Sequence, residues 1–367
     1  MKTLYLDCGM GAAGDMLAAA LLELIPERDG FVSWMNSFGL PGVAITQETS
    51  VKCGIAGTHF SVKVHGEEES HDHHDHEHHH DHHHHSGIDD ISHIVYDHLP
   101  IPQKVKEDIM AVYELIAEAE SHSHGVPVSA IHFHEVGTMD AITDITAVCL
   151  LMNEIAPDEV IVSPVHVGSG KVWCAHGVLP VPAPATTFIL KDVPIYGGSI
   201  QGELCTPTGA ALLKHFATRF GDMPVIKLQA IGYGMGKKNF EAANCIRAML
   251  GEREGKTDAV LELSCNVDDM TAEQIGFAME RLFDGGALEV YTIPIGMKKS
   301  RPGALIRVMC REQDKGKLVR WMFKYTTTIG VRETKTQRYI LDRDVTMMDT
   351  PYGTIRLPWV WCEPFEV

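Results

Sequence analysis

Apolar and polar positions alternate along the chain in segments with strand-like and helix-like spacing. The first apolar segment, Thr3–Leu6, predicts a strand that leads through a glycine-rich turn into a helix over 15–24. Further strands are predicted over 43–49, 58–64, 130–136, 160–167 and 171–174, and helices over 89–98, 102–120, 138–152 and 208–220. Interspersed strands and helices of this kind predict a mixed α/β N-terminal domain over residues 1–255.

The pattern changes after residue 255 to a shorter β-α-β-β-α-β order. Strands are predicted over 259–267, 288–295, 304–310, 330–332 and 338–345, with helices over 271–283 and 313–325. That order is the split βαβ, ferredoxin-like arrangement. The fold class is therefore predicted to be α/β (α+β), with a second domain over 256–367.

Residues 66–87 lack apolar periodicity and predict a disordered loop. Of the 22 histidines, 11 lie between His71 and His85, interleaved with four carboxylates. Imidazole is mostly neutral near pH 7 and suits zinc, copper, iron or nickel. The candidate ligands in this loop are His73, His74, His78, His79 and His80. A flexible cluster of this kind predicts a metal store and no catalytic site, while a merely solvated loop is the alternative.

The charge of the chain is concentrated in its first two-thirds. Residues 1–255 carry 15 basic and 33 acidic side chains, whereas residues 256–367 carry 16 of each. A net charge of −18 argues against nucleic-acid binding and favours cations. No signal peptide or apolar run of about 18–20 residues is present, and the nine cysteines form no CxxC pair, so a cytoplasmic location is expected and a membrane partner is not.

Two short motifs predict rigid metal ligands. On a strand over 130–136, His132 and His134 share one face, and on the following helix Asp140 and Asp144 share another. These four side chains predict a divalent metal site at a strand–helix corner, with Glu135 as an orienting group or a base. In the alternative, Asp140 caps the helix and the histidines only form hydrogen bonds. Cys174 and His176 offer a further sulfur–imidazole pair.

Three segments rich in glycine or basic residues invite comparison with phosphate-binding motifs. The first, 7–15, fits GxGxxG but lacks the later acidic residue of a dinucleotide site, so a phosphate or metal cradle using Asp7 and Asp15 is predicted instead. The second, 232–238, is no Walker A motif; a flexible basic loop near a phosphate stays open. In the third, Cys205 precedes a helix whose N-terminal amides can bind an anion, with Thr208 as a plausible cap.

The neutral C-terminal domain combines carboxylates with cations. Asn266, Asp268 and Asp269 lie at a strand end, and Lys298, Lys299 and Arg301 lie in a later turn. With Arg332 and the hydroxyls of 326–328, this set suits a nucleoside triphosphate with Mg²⁺ or Mn²⁺. The alternative is a solvated turn next to a capped helix.

Seven motifs together resemble the nickel insertion proteins of the LarC type over roughly residues 3–356. They are the segments 7–16, 132–137, 176–184, 203–209, 232–236, 266–271 and 297–302. The C-terminus departs from the family: residues 354–367 replace its usual strand and acidic helical tail, which puts the oligomer and any contribution of the tail to CTP binding in doubt.

The resemblance implies a CTP-dependent nickel chelatase, or cyclometallase, of the lyase class. Nickel enters pyridinium-3,5-bisthiocarboxylic acid mononucleotide with one carbon–nickel and two sulfur–nickel bonds, while CTP and Mg²⁺ or Mn²⁺ yield CMP and pyrophosphate. The implied partners are the nucleotide substrate, CTP, nickel, a lactate racemase-like apoenzyme that receives the cofactor, and further copies of the chain through the C-terminal domain. Loss of a ring proton requires a base, for which Glu135 and His134 are the candidates. A non-catalytic nickel storage or delivery protein is the alternative, and a metal-dependent hydrolase is a third hypothesis.

Overall fold

The chain divides after Arg253 into two units, each with its own sheet and apolar core. The computed structural model describes residues 1–68, 87–131, 133, 136–174, 177–253, 257–339, 342–350 and 353–361. Both units combine helices with strands, so the predicted mixed α/β class is confirmed. No helix in these ranges is long and apolar enough to cross a membrane.

The first unit is built on one large mixed sheet. Its strands and short strand pairs are β1 (Lys2–Asp7), β2 (Val43–Lys52), β3 (Ile55–Val64), β4 (Glu67–Glu68), β5 (Glu159–Val162), β6 (Val165–His166), β7 (Gly168–Ser169), β8 (Lys171–Cys174), β9 (Gly177–Pro180), β10 (Ile195–Tyr196), β11 (Gly202–Glu203), β12 (Arg219–Phe220), β13 (Lys227–Met235) and β14 (Cys245–Glu252). The sheet order is β12-β5-β1-β14-β13-β3-β2, with β4 added to β3. Strands from both ends of the unit therefore meet at its centre, because β1 pairs with β14.

Helices pack against this sheet and against one another. They are α1 (Gly14–Leu22), α2 (Arg28–Asn36), α3 (Ile88–His93), α4 (Gln103–His124), α5 (Met139–Ile155), α6 (Pro184–Ile189) and α7 (Pro207–Phe216). Helix α1 is apolar on almost every side, which is typical of a helix buried on all sides. It packs against β13 on one side and α5 on the other, and residues 16–22 are almost fully buried.

The second unit has the order β-α-β-β-α-β followed by a hairpin. Its elements are β15 (Thr257–Val267), α8 (Ala272–Asp284), β16 (Glu289–Met297), β17 (Arg301–Cys310), α9 (Lys315–Tyr325), β18 (Arg332–Tyr339), β19 (Asp342–Thr350) and β20 (Gly353–Trp361). The first four strands form an antiparallel sheet in the order β16-β17-β15-β18. Alternate residues of β15, Leu261, Leu263 and Cys265, are buried in a core with Leu282 of α8 and Met322 of α9.

Two segments differ locally from the expectations. The strand predicted over 130–136 does not reach either end of that range, because Ala130 closes a 3₁₀ turn and Val136 lies in a turn. In the segment 232–238, for which a flexible basic loop stayed open, residues 232–235 belong to β13. A β-carbon on Gly234 would lie 1.8 Å from the carbonyl oxygen of Met16, and one on Gly232 would lie 2.0 Å from that of Ala20. These glycines therefore let α1 pack directly on the strand backbone.

Candidate functional site

Three chain segments meet where α1, α5 and α7 begin. Gly11 has a positive φ of 79°, and a β-carbon there would lie 1.9 Å from the carbonyl oxygen of Leu204. A β-carbon on Gly209 would lie 2.1 Å from the carbonyl oxygen of Ala12, and one on Gly14 would lie 2.8 Å from Oδ2 of Asp144. Glycine is needed at each position because backbone and side chains approach so closely. The glycine-rich turn therefore serves as a packing corner.

A cavity of about 150 Å³ opens beside this corner, within the first unit. Four carboxylates, two ammonium groups, one aromatic ring and several hydroxyl or amide groups line it: Asp15, Asp140, Asp144, Glu203, Lys237, Lys238, Phe240, Thr206, Thr208 and Asn244. The i, i+4 spacing of Asp140 and Asp144 on α5 explains why both reach the same wall. The cavity thus brings together motifs separated by more than 200 residues.

Asp140 and Asp144 both line this cavity, and their role as ligands of a divalent ion stays a prediction. The alternative in which Asp140 caps the helix is wrong. Thr138 caps α5 instead, because its hydroxyl accepts a hydrogen bond from the amide of Ala141. Asp140 is left in the first turn of the helix, facing the cavity. Thr206, not Thr208, likewise caps α7, by accepting from the amide of Gly209 at 3.1 Å.

Asp15 and Lys237 form the charged centre of the cavity. Burial raises the pKa of the Asp15 carboxyl, against the opposing influence of Lys237 and His59. Burial alone would lower the pKa of Lys237, but the carboxylates of Asp15, Asp140 and Glu68 outweigh it, so its pKa is raised. Lys237 is therefore firmly protonated. Its ammonium lies 3.2 Å from Oε1 of Glu68.

Two other predicted ligands of the first unit, Asp7 and Cys205, do not line the cavity. Asp7 does not reach the cavity, because its carboxylate is bound by the guanidinium of Arg247 on the neighbouring strand. Cys205 is fully buried, and burial together with the charge of Glu203 raises the pKa of its thiol well above its usual range. Its position in the apolar core is typical of a cysteine that packs as a small apolar side chain.

Several predicted residues lie outside the described ranges: His73, His74, His78, His79, His80, His132, His134, Glu135 and His176. Cys174 is the last residue of β8. Val136, which follows Glu135, lines the cavity, so the chain after the predicted base is part of the cavity wall. Among the described residues, no three histidine, cysteine or acidic side chains are arranged to hold a metal ion by themselves.

The predicted triphosphate residues of the second unit gather at one end of its sheet. Arg332 donates to Oδ1 of Asn266 at 2.7 Å, and Arg301 lies 3.2 Å from Oδ2 of Asp268. Asp269 accepts a hydrogen bond from the hydroxyl of Thr327. The starts of β17 and β18 lie at this end because both strands run antiparallel to β15.

Lys298 and Lys299 lie in the 3₁₀ turn before β17, exposed to solvent. Lys299 has a positive φ of 60°, and neither ammonium forms an ion pair with a described residue. The turn thus presents two uncompensated positive charges immediately before Arg301. Together with the carboxylates of Asp268 and Asp269, this donor set fits a triphosphate with a bound divalent ion.

Sequence reasoning did not place Glu203, Lys238, Phe240 or Asn244 in the same site as Asp140. The signals were nevertheless present. Glu203 stands two residues before Cys205 in the motif that leads into α7, and Lys237 and Lys238 end the glycine-rich segment 232–238. Long-range sheet pairing, with β13 beside β14 and β14 beside β1, is what carries these residues to the N-terminal turn.

Fold and site together define a two-unit α/β protein with a carboxylate-rich cavity in one unit and a cationic, carboxylate-bearing corner in the other. A family model described as nickel insertion protein matches residues 4–362, and the chain belongs to that family. It is 41% identical over 362 residues to the pyridinium-3,5-bisthiocarboxylic acid mononucleotide nickel insertion protein of Clostridium kluyveri, covering 97% of this chain and 89% of that protein. The protein of the same name from Acetivibrio thermocellus is 38% identical, with 97% and 87% covered.

A solved structure matches part of the chain. It is the apo form of LarC2, the C-terminal domain of a cyclometallase involved in the synthesis of the NPN cofactor of lactate racemase. The two are 38% identical, the match covers 29% of this chain and 75% of the domain, and the TM-score is 0.28.

Proposed function

We propose that this protein inserts nickel into pyridinium-3,5-bisthiocarboxylic acid mononucleotide to form the nickel-pincer cofactor, with hydrolysis of CTP to CMP and pyrophosphate. Membership in the nickel insertion family supports the reaction. The observation that carries the assignment to this chain is the convergence of Asp15, Asp140 and Asp144 on one cavity. Carboxylates attract the divalent ion, while the two thiocarboxylates of the substrate supply the sulfur ligands that the product retains.

This division of ligands explains why the described residues need not form a complete metal site. A protein that kept nickel in a closed four-ligand shell would oppose its transfer, whereas a wall of carboxylates holds a cation loosely. Proton loss from the ring carbon requires a base, and Glu135 or His134, beside the cavity-lining Val136, keeps that role in the proposal. The His-rich segment 71–85 gathers nickel, and the described residue Glu68 before it contacts Lys237 at the cavity.

The second unit binds CTP with Mg²⁺ or Mn²⁺ in the proposal. Lys298, Lys299 and Arg301 neutralise the phosphates, and Asp268 and Asp269 hold the metal ion, as their oxygen donors suit a hard cation. Arg332, held by Asn266, supplies a further guanidinium. The product passes to a lactate racemase-like apoenzyme in the cytoplasm, and copies of the chain associate through this unit.

The test is an insertion assay with the full chain, Ni²⁺, the bisthiocarboxylate mononucleotide and Mg²⁺–CTP. Nickel-pincer nucleotide and CMP are expected together, and no product with any nucleotide would overturn the proposal. Asp140→Asn and Asp144→Asn are each expected to lower turnover at least tenfold. Glu154→Gln removes an exposed carboxylate from the same helix and is expected to leave turnover unchanged.

Deletion of 70–86 separates insertion from storage. An insertion enzyme is expected to keep its turnover at saturating nickel and to lose it only when nickel is scarce. A storage protein would show no turnover with or without the deletion. Its shortened form would lose most of the nickel that the full chain binds. Hydrolysis of a simple ester without CTP would favour the hydrolase hypothesis instead.

A further inference from the structure

Two residues in the wall of the first-unit cavity carry no assigned role. They are Lys238, which is half-buried, and Thr208 in the first turn of α7. In the described part of the chain, no carboxylate forms an ion pair with the ammonium of Lys238. Lys237, by contrast, is engaged with Glu68. An uncompensated cation in a cavity wall is a place for an anion.

Thr208 gives an independent sign of a ligand. Its side chain is 8% exposed and lines the cavity, yet its hydroxyl forms no hydrogen bond with any described residue. Capping of α7 falls to Thr206, so the hydroxyl of Thr208 remains available to a ligand in the cavity. Two polar groups of the cavity wall, an ammonium and a hydroxyl, therefore lack partners among the described residues.

The first residues of α7 also line the cavity. Thr206, Pro207 and Thr208 all line the cavity, and the positive end of the helix dipole lies there. An ammonium, a hydroxyl donor and a helix N-terminus together match the oxygens of a phosphate monoester. The carboxylates of Asp15, Asp140 and Asp144 line the same cavity and attract the cationic part of a ligand.

We propose that Lys238 and Thr208 bind the phosphate monoester of the pyridinium mononucleotide at the start of α7, and thereby orient its ring toward the carboxylates of α1 and α5. This inference rests on the proposed function, since it assigns one end of that substrate to one wall of the cavity. The carboxylates attract the pyridinium cation, and Phe240, which also lines the cavity, supplies an aromatic ring. Lys238 is a positioning residue that takes no part in bond making.

Binding of phosphorylated and dephosphorylated pyridine ligands tests the inference without nickel or CTP. Calorimetric titration of the full chain uses nicotinic acid mononucleotide and nicotinic acid riboside as probes. The mononucleotide is expected to bind at least tenfold more tightly than the riboside. Equal affinities, or no measurable binding of the mononucleotide, would overturn the proposal.

Variants locate the phosphate. Lys238→Met is expected to abolish the tenfold preference and Lys238→Arg to retain most of it, while Thr208→Val lowers it about threefold and Thr208→Ser restores it. Lys104→Met removes an exposed ammonium from α4 and is expected to change nothing. A Lys238→Met chain that keeps the preference, with an unchanged melting temperature, would contradict the assignment.

Competition distinguishes the source of the phosphate. Mg²⁺–CTP is expected not to displace the mononucleotide; competitive displacement would assign the wall to CTP and overturn the inference. Insertion kinetics separate the two proposals. If the chain forms product and Lys238→Met leaves its KM for the mononucleotide unchanged, only the assignment of the phosphate to Lys238 and Thr208 is refuted. A chain that binds with the expected preference but forms no product refutes only the insertion activity.

Discussion

Single glycines of β13 decide how closely α1 approaches the sheet. A β-carbon on Gly234 would overlap the carbonyl oxygen of Met16. That oxygen belongs to the backbone of α1, so it cannot move aside as a flexible side chain could. Gly234→Ala is therefore expected to destabilise the first unit by about 1–3 kcal/mol, as overpacking does. Denaturant titration followed by circular dichroism measures the loss.

Gly30 provides a matched control for that substitution. It lies within α2, exposed, where a β-carbon would make ordinary contact with Glu27 at 3.7 Å. Gly30→Ala is expected to stabilise the unit by about 0.5–1 kcal/mol, because alanine loses less backbone entropy in a helix. A Gly234→Ala chain as stable as the Gly30→Ala chain would show that α1 does not pack on β13 in this way.

A second residue-scale prediction concerns Glu68, which bridges His59 and Lys237. Burial alone would raise the pKa of Glu68, but Lys237 and His59 outweigh it and hold the pKa below its usual range. Because the folded-state pKa is lowered, the stabilising contribution is complete above the ordinary pKa of about 4.3 and is lost as the pH falls through the folded-state value.

Glu68→Gln is expected to lower the free energy of unfolding at pH 7 by less than about 1 kcal/mol, since the groups are partly solvated. The difference from the unmodified chain is expected to vanish as the pH falls below 4. Unfolding titrations at several pH values measure it. Glu67→Gln, one residue away and without an ion pair in the described structure, serves as the control; an equal effect of both substitutions would contradict the ion-pair explanation.

At the scale of elements, local pattern predicts helices better than it predicts contacts between them. The helix containing Asp140 and Asp144 is evident from its spacing, and so is their shared face. The sequence leaves a loop open at 232–238 because glycine usually interrupts strands. Only the approach of α1 explains why glycines occupy the last residues of β13. The meeting of Asp15, Glu203 and Lys238 depends on sheet order, which no local pattern contains.

The start of α8 illustrates an element whose stability is encoded locally. Thr271 accepts a hydrogen bond from the amide of Gln274 at 3.2 Å, and Gln274 accepts one from the amide of Thr271 at 2.8 Å. Thr271→Ala is expected to destabilise the second unit by about 1 kcal/mol, while Thr271→Ser retains the cap. Thermal unfolding measures both, and an unaltered Thr271→Ala melting temperature would show that the cap adds nothing.

For the whole molecule, the separation of charge parallels the separation of cores. The acidic excess lies entirely before residue 256, and the carboxylate-rich cavity lies within that part. The neutral remainder contains the cationic turn at Lys298 and Lys299. An acidic surface around a triphosphate site would repel its ligand, so the neutral second unit is the better place for the CTP of the proposed function. The sequence predicts this division of charge, but it does not predict which carboxylates face a common cavity.

The two units are therefore expected to respond to different ligands when they are produced separately. Each has its own sheet and core, so residues 1–253 and 254–367 are each expected to unfold in one cooperative transition. Ni²⁺ should raise the melting temperature of the first fragment alone and Mg²⁺–CTP that of the second alone, because a ligand stabilises only the folded state that binds it. At a ligand concentration 100 times Kd, the gain is about 2.7 kcal/mol, which scanning calorimetry resolves. Stabilisation of the first fragment by Mg²⁺–CTP, or of neither fragment, would contradict the assignment of metal and nucleotide to separate units.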